Sequence, residues 1–118
     1  MTPALFLSVA FVAGAVISFF TGSSWGTFAI CIPIAVPMAY SFTGGQLGTL
    51  VYAAVGAVVS GGLFGDHCSP VSDTTVLSSL GAACDHIDHV RTQLPYALLA
   101  AVVSMILWVV VAMVGGAA

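Results

Sequence analysis

Charge is nearly absent from this chain: its 118 residues include four aspartates, one arginine, no lysine and no glutamate. Neutralising nucleic-acid phosphates takes several Lys or Arg side chains, so a nucleic-acid partner is excluded. An ordinary soluble domain is about one quarter charged, whereas this chain is 4% charged and 60% hydrophobic, with a mean hydropathy of +1.18. Water will not hold it as a monomer. Cysteine is also scarce. Cys31 lies in an apolar run, Cys68 beside His67 and Cys84 beside Asp85, an odd number without small-domain spacing, which argues against a disulfide framework. No basic stretch precedes the first apolar run, so that run reads as a retained span and not a secretory signal. Neither a nucleophile-base-orienter trio nor a phosphate-cradling glycine loop is present, so neither an enzyme nor a cofactor is expected.

What the chain has in quantity is long apolar sequence. Crossing about 30 Å of hydrocarbon takes roughly 20 apolar residues in a helix. Residues 3–20, 47–64 and 94–114 meet that length, while 28–42 is shorter and holds Pro33 and Pro37. Proline removes a backbone donor and kinks a helix, so 28–42 is expected to be bent or to cross only halfway. Gly56 and Ser60, four apart, offer a small-residue face for close helix contact, or are incidental in a glycine-rich segment. The expected fold is an all-α integral membrane protein of about four to five transmembrane or re-entrant helices.

Three polar stretches separate the runs: TGSSWGT at 21–27, GDHCSPVSDTT at 65–75 and CDHIDHVRTQ at 84–93. The third holds the lone Arg91, three residues from Asp88, with Thr92 as a candidate helix cap and Pro95 close behind. It reads as an exposed loop feeding the last span, and the positive-inside rule places it on the cytoplasmic side. The other two are harder to put outside the bilayer. If 65–75 were only a loop, the apolar segment 76–83 would be stranded, and a broken or re-entrant helix removes that difficulty. Irregular backbone at membrane depth is tolerated where it is buried in protein or lines a wet cavity. Gly22, Gly26, Gly65 and Pro70 supply the chain-breaking chemistry.

Asp66, His67 and Asp73 fall within eight residues, interleaved with Ser69, Ser72, Thr74 and Thr75. A carboxylate in a membrane is costly unless paired, and a bound cation is one such partner. Hard cations favour oxygen ligands, which this stretch has in abundance. An imidazole, or a carboxylate whose proton affinity is lifted by desolvation, exchanges protons near neutral pH. A site that takes either a proton or a metal cation is the minimal machinery of an antiporter. The plainer alternative is a solvated loop, with Asp73 capping a helix over 74–83 and His67 in a structural hydrogen bond. TGSSWGT, with Thr21, Ser23, Ser24 and Thr27, suits the neutral half of a cation site or an interfacial turn with Trp25 in the aromatic belt. A softer site for zinc or copper, from His67, Cys68, Cys84, His86 and His89, matches no standard spacing.

The strings TGSSWGTFAICIPIAVPMA (21–39) and SGGLFGDHCSPVSDTTVLSSLGAACDHIDHVRTQLPYAL (60–98) closely resemble the C-terminal region of the NhaC-type sodium/proton antiporters of the ion-transporter superfamily. The resemblance implies part of a secondary transporter in which inverted repeats carry interrupted segments to a midplane site. It implies exchange of sodium for protons across the cytoplasmic membrane, with some members moving malate and lactate. By motif position it places Ser23, Ser24 and Thr27 at one break and Asp66, Ser69, Ser72, Asp73 and Thr74 at the other; with His67 these form the expected cation- and proton-binding set, Asp66 and Asp73 being its sodium carboxylates. Family members are several times longer, so residues 1–118 are expected to be one C-terminal transmembrane unit whose partner is a separate first repeat. A homodimer and a non-transporting membrane subunit are the other forms of that expectation.

Overall fold

The computed structural model describes residues 1–115, so the last three positions of the expected 1–118 unit lie outside the described residues. Five helices follow one another: α1 (Pro3–Thr21), α2 (Ser24–Phe42), α3 (Thr49–Cys68), α4 (Asp73–Gly81) and α5 (His86–Gly115). All but α4 are long and apolar enough to cross a membrane. The chain is an all-α integral membrane protein.

Local chemistry sets the ends. Thr2 accepts the Leu5 amide through its hydroxyl at 3.3 Å, with Pro3 in the first turn, where its missing N–H costs nothing. Helix α1 stops at Gly22, which takes a left-handed φ of 66° while its N–H reaches Ser18 O at 2.8 Å. Ser23 then turns extended and accepts the Gly26 amide at 3.2 Å, starting α2. The second span therefore begins four residues before the expected 28, Gly26 is helical, and α2 runs through Pro33 and Pro37 as a span-length helix of 19 residues. The half-crossing expected of this segment is corrected.

Helix α3 likewise continues past the expected 64 to Cys68, so Gly65 is not a breaker; the break falls at 69–72, around Pro70. The stretch 84–93 is not a loop either. Asp85 accepts the amides of Ile87 at 3.0 Å and Asp88 at 3.1 Å, so α5 starts at His86 and takes in Arg91, Thr92 and Pro95. Thr92 is no cap: its hydroxyl donates to Asp88 O at 2.9 Å, one turn back.

Glycines decide how the helices pack. In lipid, apolar side chains gain little by leaving the solvent, so helices associate through close backbone approach and hydrogen bonds. A Cβ at Gly61 would sit 2.1 Å from Phe11 O, and one at Gly65 would sit 2.3 Å from Ala15 O. Ser69 donates to Phe19 O at 2.6 Å. The three pairs share one sequence offset, so α1 and α3 run parallel in intimate contact, with Ser18 donating to Gly62 O at 2.6 Å in the buried seam. Helix α2 then returns antiparallel alongside both, as the Phe6–Phe42 ring contact at 5.4 Å requires. Helix α5 is antiparallel to α3: Gly115 meets Thr49, Trp108 meets Gly56, and Gln93 meets His67. Gly56 and Ser60 thus serve a different partner from Gly61 and Gly65. They seat the Trp108 indole, whose Nε1–H donates to Ser60 Oγ at 3.0 Å.

Candidate functional site

Parallel packing of α1 and α3 brings their C-terminal ends, and so the two breaks, to the same level. They touch backbone to backbone. A Cβ at Gly22 would lie 2.7 Å from Val71 O and 3.0 Å from the Ser72 amide nitrogen, an approach open only to glycine. Ser69 Oγ, fully buried, ties its break to the end of α1 through Phe19 O and accepts the Val71 amide at 3.2 Å.

Asp66 lies at this junction, in the last turn of α3. Its Oδ2 accepts a hydrogen bond from Ser24 Oγ at 2.9 Å, and its Oδ1 accepts one from Ser72 Oγ at 2.5 Å. Thr74 Oγ1 stands 2.8 Å from Ser72 Oγ. Since the Ser72 proton is directed to the carboxylate, Thr74 donates to Ser72 and extends the hydroxyl chain. Ser24 is 6% and Ser72 0% exposed, so water competes little for either hydroxyl. The C-terminal end of α3 disfavours a negative charge on Asp66, while the N-terminal ends of α2 at Ser24 and α4 at Asp73 favour it. Two neutral hydroxyls hold the carboxylate but do not neutralise it; a proton or a cation would.

The other expected residues lie around this centre in different ways. Ser23 caps α2 with its side chain. Thr27 is fully buried but donates to Ser23 O at 2.9 Å, satisfied within its own helix. Asp73 is exposed, and its Oδ1 accepts the Thr74 amide at 2.9 Å; the structure does not bring it to Asp66. Ser72, not Asp73, occupies the N-cap position of α4. His67, the next residue after Asp66 and so about 100° round α3, meets α5, where its Nε2 stands 2.6 Å from the Gln93 amide nitrogen, while Thr75 Oγ1 donates to the His67 carbonyl at 3.2 Å. Among the described residues no three His, Cys, Asp or Glu side chains come together, so the softer set of His67, Cys68, Cys84, His86 and His89 has no common centre. Gln93, read as loop, was not anticipated as the partner of His67, and His86, expected in the softer set, bonds instead to the second break.

Span-length helices whose turn at 22–23 and break at 69–72 meet at one carboxylate describe a multi-span membrane protein with a polar junction between its helices. A family model for the Na+/H+ antiporter family matches residues 1–113, and the chain belongs to that family. It is 53% identical over 110 residues to an uncharacterized protein of Haemophilus influenzae, covering 92% of this chain and 20% of that one. A malate-2H(+)/Na(+)-lactate antiporter of Bacillus subtilis is 36% identical over 114 residues, 97% of this chain and 23% of its own. The Na(+)/H(+) antiporter NhaC of Alkalihalophilus pseudofirmus is 35% identical over 96 residues, 81% of this chain and 20% of its own. The chain thus spans about a fifth of the length of the curated relatives it matches. No solved structure matches it.

Proposed function

We propose that the chain supplies the cation-binding part of a sodium/proton antiporter of the cytoplasmic membrane, working with further antiporter sequence such as the first repeat. The observation that carries this reading is that hydroxyls from both breaks, Ser24 and Ser72, converge on the one carboxylate of Asp66. A calcium ion takes about 6–8 oxygen ligands, usually with several carboxylates among them, whereas a single carboxylate ringed by neutral oxygens balances one sodium ion or one proton. The two compete for the same oxygens, and that competition is the exchange. The hydroxyls serve both states: they donate to the carboxylate when no metal is bound and rotate to offer lone pairs when sodium enters. Asp73, exposed at the start of α4, would face the rest of the transporter.

Replacing Ser24 or Ser72 by Ala removes one hydroxyl and leaves the charge. Each variant, in the assembled antiporter in proteoliposomes, is expected to raise the apparent KM for sodium in sodium-driven proton flux by about tenfold, the worth of one good polar contact. An unchanged sodium KM in both would remove the hydroxyls from the site.

A second reading, exchange of an organic anion, is favoured by the resemblance to the malate-lactate antiporter and by the two helix N-termini that meet at Asp66. Such ends attract a substrate carboxylate. Sodium-stimulated uptake of labelled malate or lactate by the same vesicles would distinguish it from simple cation exchange.

A further inference from the structure

From the geometry we infer that His86 is a positioning residue: it anchors the second break through the Pro70 carbonyl and so holds Ser72 on Asp66. This rests on the reading of Asp66 as the cation site. His86 is the first residue of α5, outside both breaks, yet its Nε2 stands 2.6 Å from Pro70 O, sixteen residues away. A carbonyl oxygen carries no proton, so Nε2 is the donor. Its Nδ1 stands 3.2 Å from Ser79 Oγ on α4, whose hydroxyl donates to Val76 O at 2.8 Å. One imidazole therefore bridges the break and the helix that follows it.

Beyond the Ser69 tie to α1, the break has few bonds of its own. Between Cys68 and Asp73 the only backbone bond within the turn is the Ser72 amide to Ser69 O at 3.3 Å, and Pro70 has no N–H to contribute. Free carbonyls at a helix break are the usual direct ion ligands of transport sites. Here the Pro70 carbonyl is already occupied by His86, so it acts as an anchor point and not as a ligand. Two residues further on, Ser72 reaches Asp66 Oδ1. The chain of restraint thus runs from α5 through His86 to Pro70, then along the backbone to the Ser72 hydroxyl. Helix α5 packs chiefly on α3 and α1 and carries none of the groups that touch Asp66. Through His86 any displacement of its first turn moves the site.

The test compares His86→Ala with His86→Gln, because a glutamine amide reaches far enough to donate to Pro70 O while an alanine donates nothing. In the assembled antiporter, His86→Ala should speed amide hydrogen exchange at residues 71–74 while leaving the middle of α1 and α3 unchanged. It should also raise the apparent sodium KM about tenfold with maximal flux largely kept, the fold-change of one lost polar restraint. His86→Gln should restore both. If His86→Ala does not assemble, His86→Gln alone decides, with wild-type exchange at 71–74 expected. Unchanged exchange in His86→Ala, or faster exchange in His86→Gln, overturns the anchoring role. Faster exchange with an unmoved sodium KM overturns the positioning role, whereas the cation-site reading falls only if Ser24→Ala and Ser72→Ala also leave the sodium KM unchanged.

Discussion

Asp66→Asn is expected to abolish the proposed sodium-driven proton movement in vesicles, while the protein should still assemble and elute normally from detergent. Asparagine keeps the size of the side chain and one carbonyl acceptor for a serine hydroxyl, so the packing of the two breaks on each other survives. What goes is the negative charge that a cation or proton neutralises. Truncating a partner of a buried, hydrogen-bonded charge pair costs about 2–5 kcal/mol, and 3 kcal/mol is roughly a 100-fold loss of affinity. At ordinary sodium concentrations the site would stay empty. Asp66→Glu keeps the charge but adds a methylene between hydroxyls 2.9 and 2.5 Å away, so transport should fall without vanishing. Asp73→Asn, at an exposed carboxylate bound only to a neighbouring amide, should have the mildest effect of the three. Proton flux measured with a pH-sensitive dye after a sodium pulse ranks them.

The second large effect is on assembly. Gly65→Ala places a methyl group 2.3 Å from Ala15 O and 2.7 Å from the Phe19 amide nitrogen, both backbone atoms that cannot rotate aside. Helices α1 and α3 must separate. Overpacking of this kind costs about 1–3 kcal/mol. The separation also breaks the bonds from Ser18 to Gly62 O and from Ser69 to Phe19 O, each worth about 0.6–2 kcal/mol in a membrane. Gly61→Ala, 2.1 Å from Phe11 O, acts the same way. The contrast is Gly26→Ala: the nearest atom to its Cβ is Ser23 Oγ at 3.6 Å, an ordinary contact, and alanine is the better helix former. Thermal unfolding in detergent should show a melting temperature clearly lowered for Gly61→Ala and Gly65→Ala and unchanged or raised for Gly26→Ala. Equal melting of all three would dissolve the parallel α1–α3 seam.

Hydropathy made three of the four spans legible because length and apolar content are set by the bilayer, while Pro33 and Pro37 made the fourth look bent or half-crossing when it is a span-length helix. Gly22 and Pro70 marked the two breaks because left-handed backbone and a missing N–H have direct residue signatures. Helix starts were less visible. Asp85 caps α5 with its side chain, but it sits in a run so polar that the whole stretch looked like a loop, and Pro95 looked like a helix start when it lies inside one. The closeness of Ser24 to Asp66, 42 residues apart, depends on the seam of Gly61 and Gly65 against α1. That spacing of small residues was present in the sequence, yet Gly56 and Ser60 carried the same signature and proved to seat a tryptophan. Asp73 drew attention by its charge alone. The tertiary turn at 69–72 sends the hydroxyl of its neighbour, Ser72, to Asp66 and leaves the second acid exposed.

Sodium binding at the Asp66 carboxylate is most directly read from infrared difference spectra of the assembled antiporter recorded with and without sodium. The wild type should show a sodium-induced change in the carboxylate stretching bands that persists in Asp73→Asn and disappears in Asp66→Asn. A carboxylate signal that survives in Asp66→Asn would place the ion elsewhere.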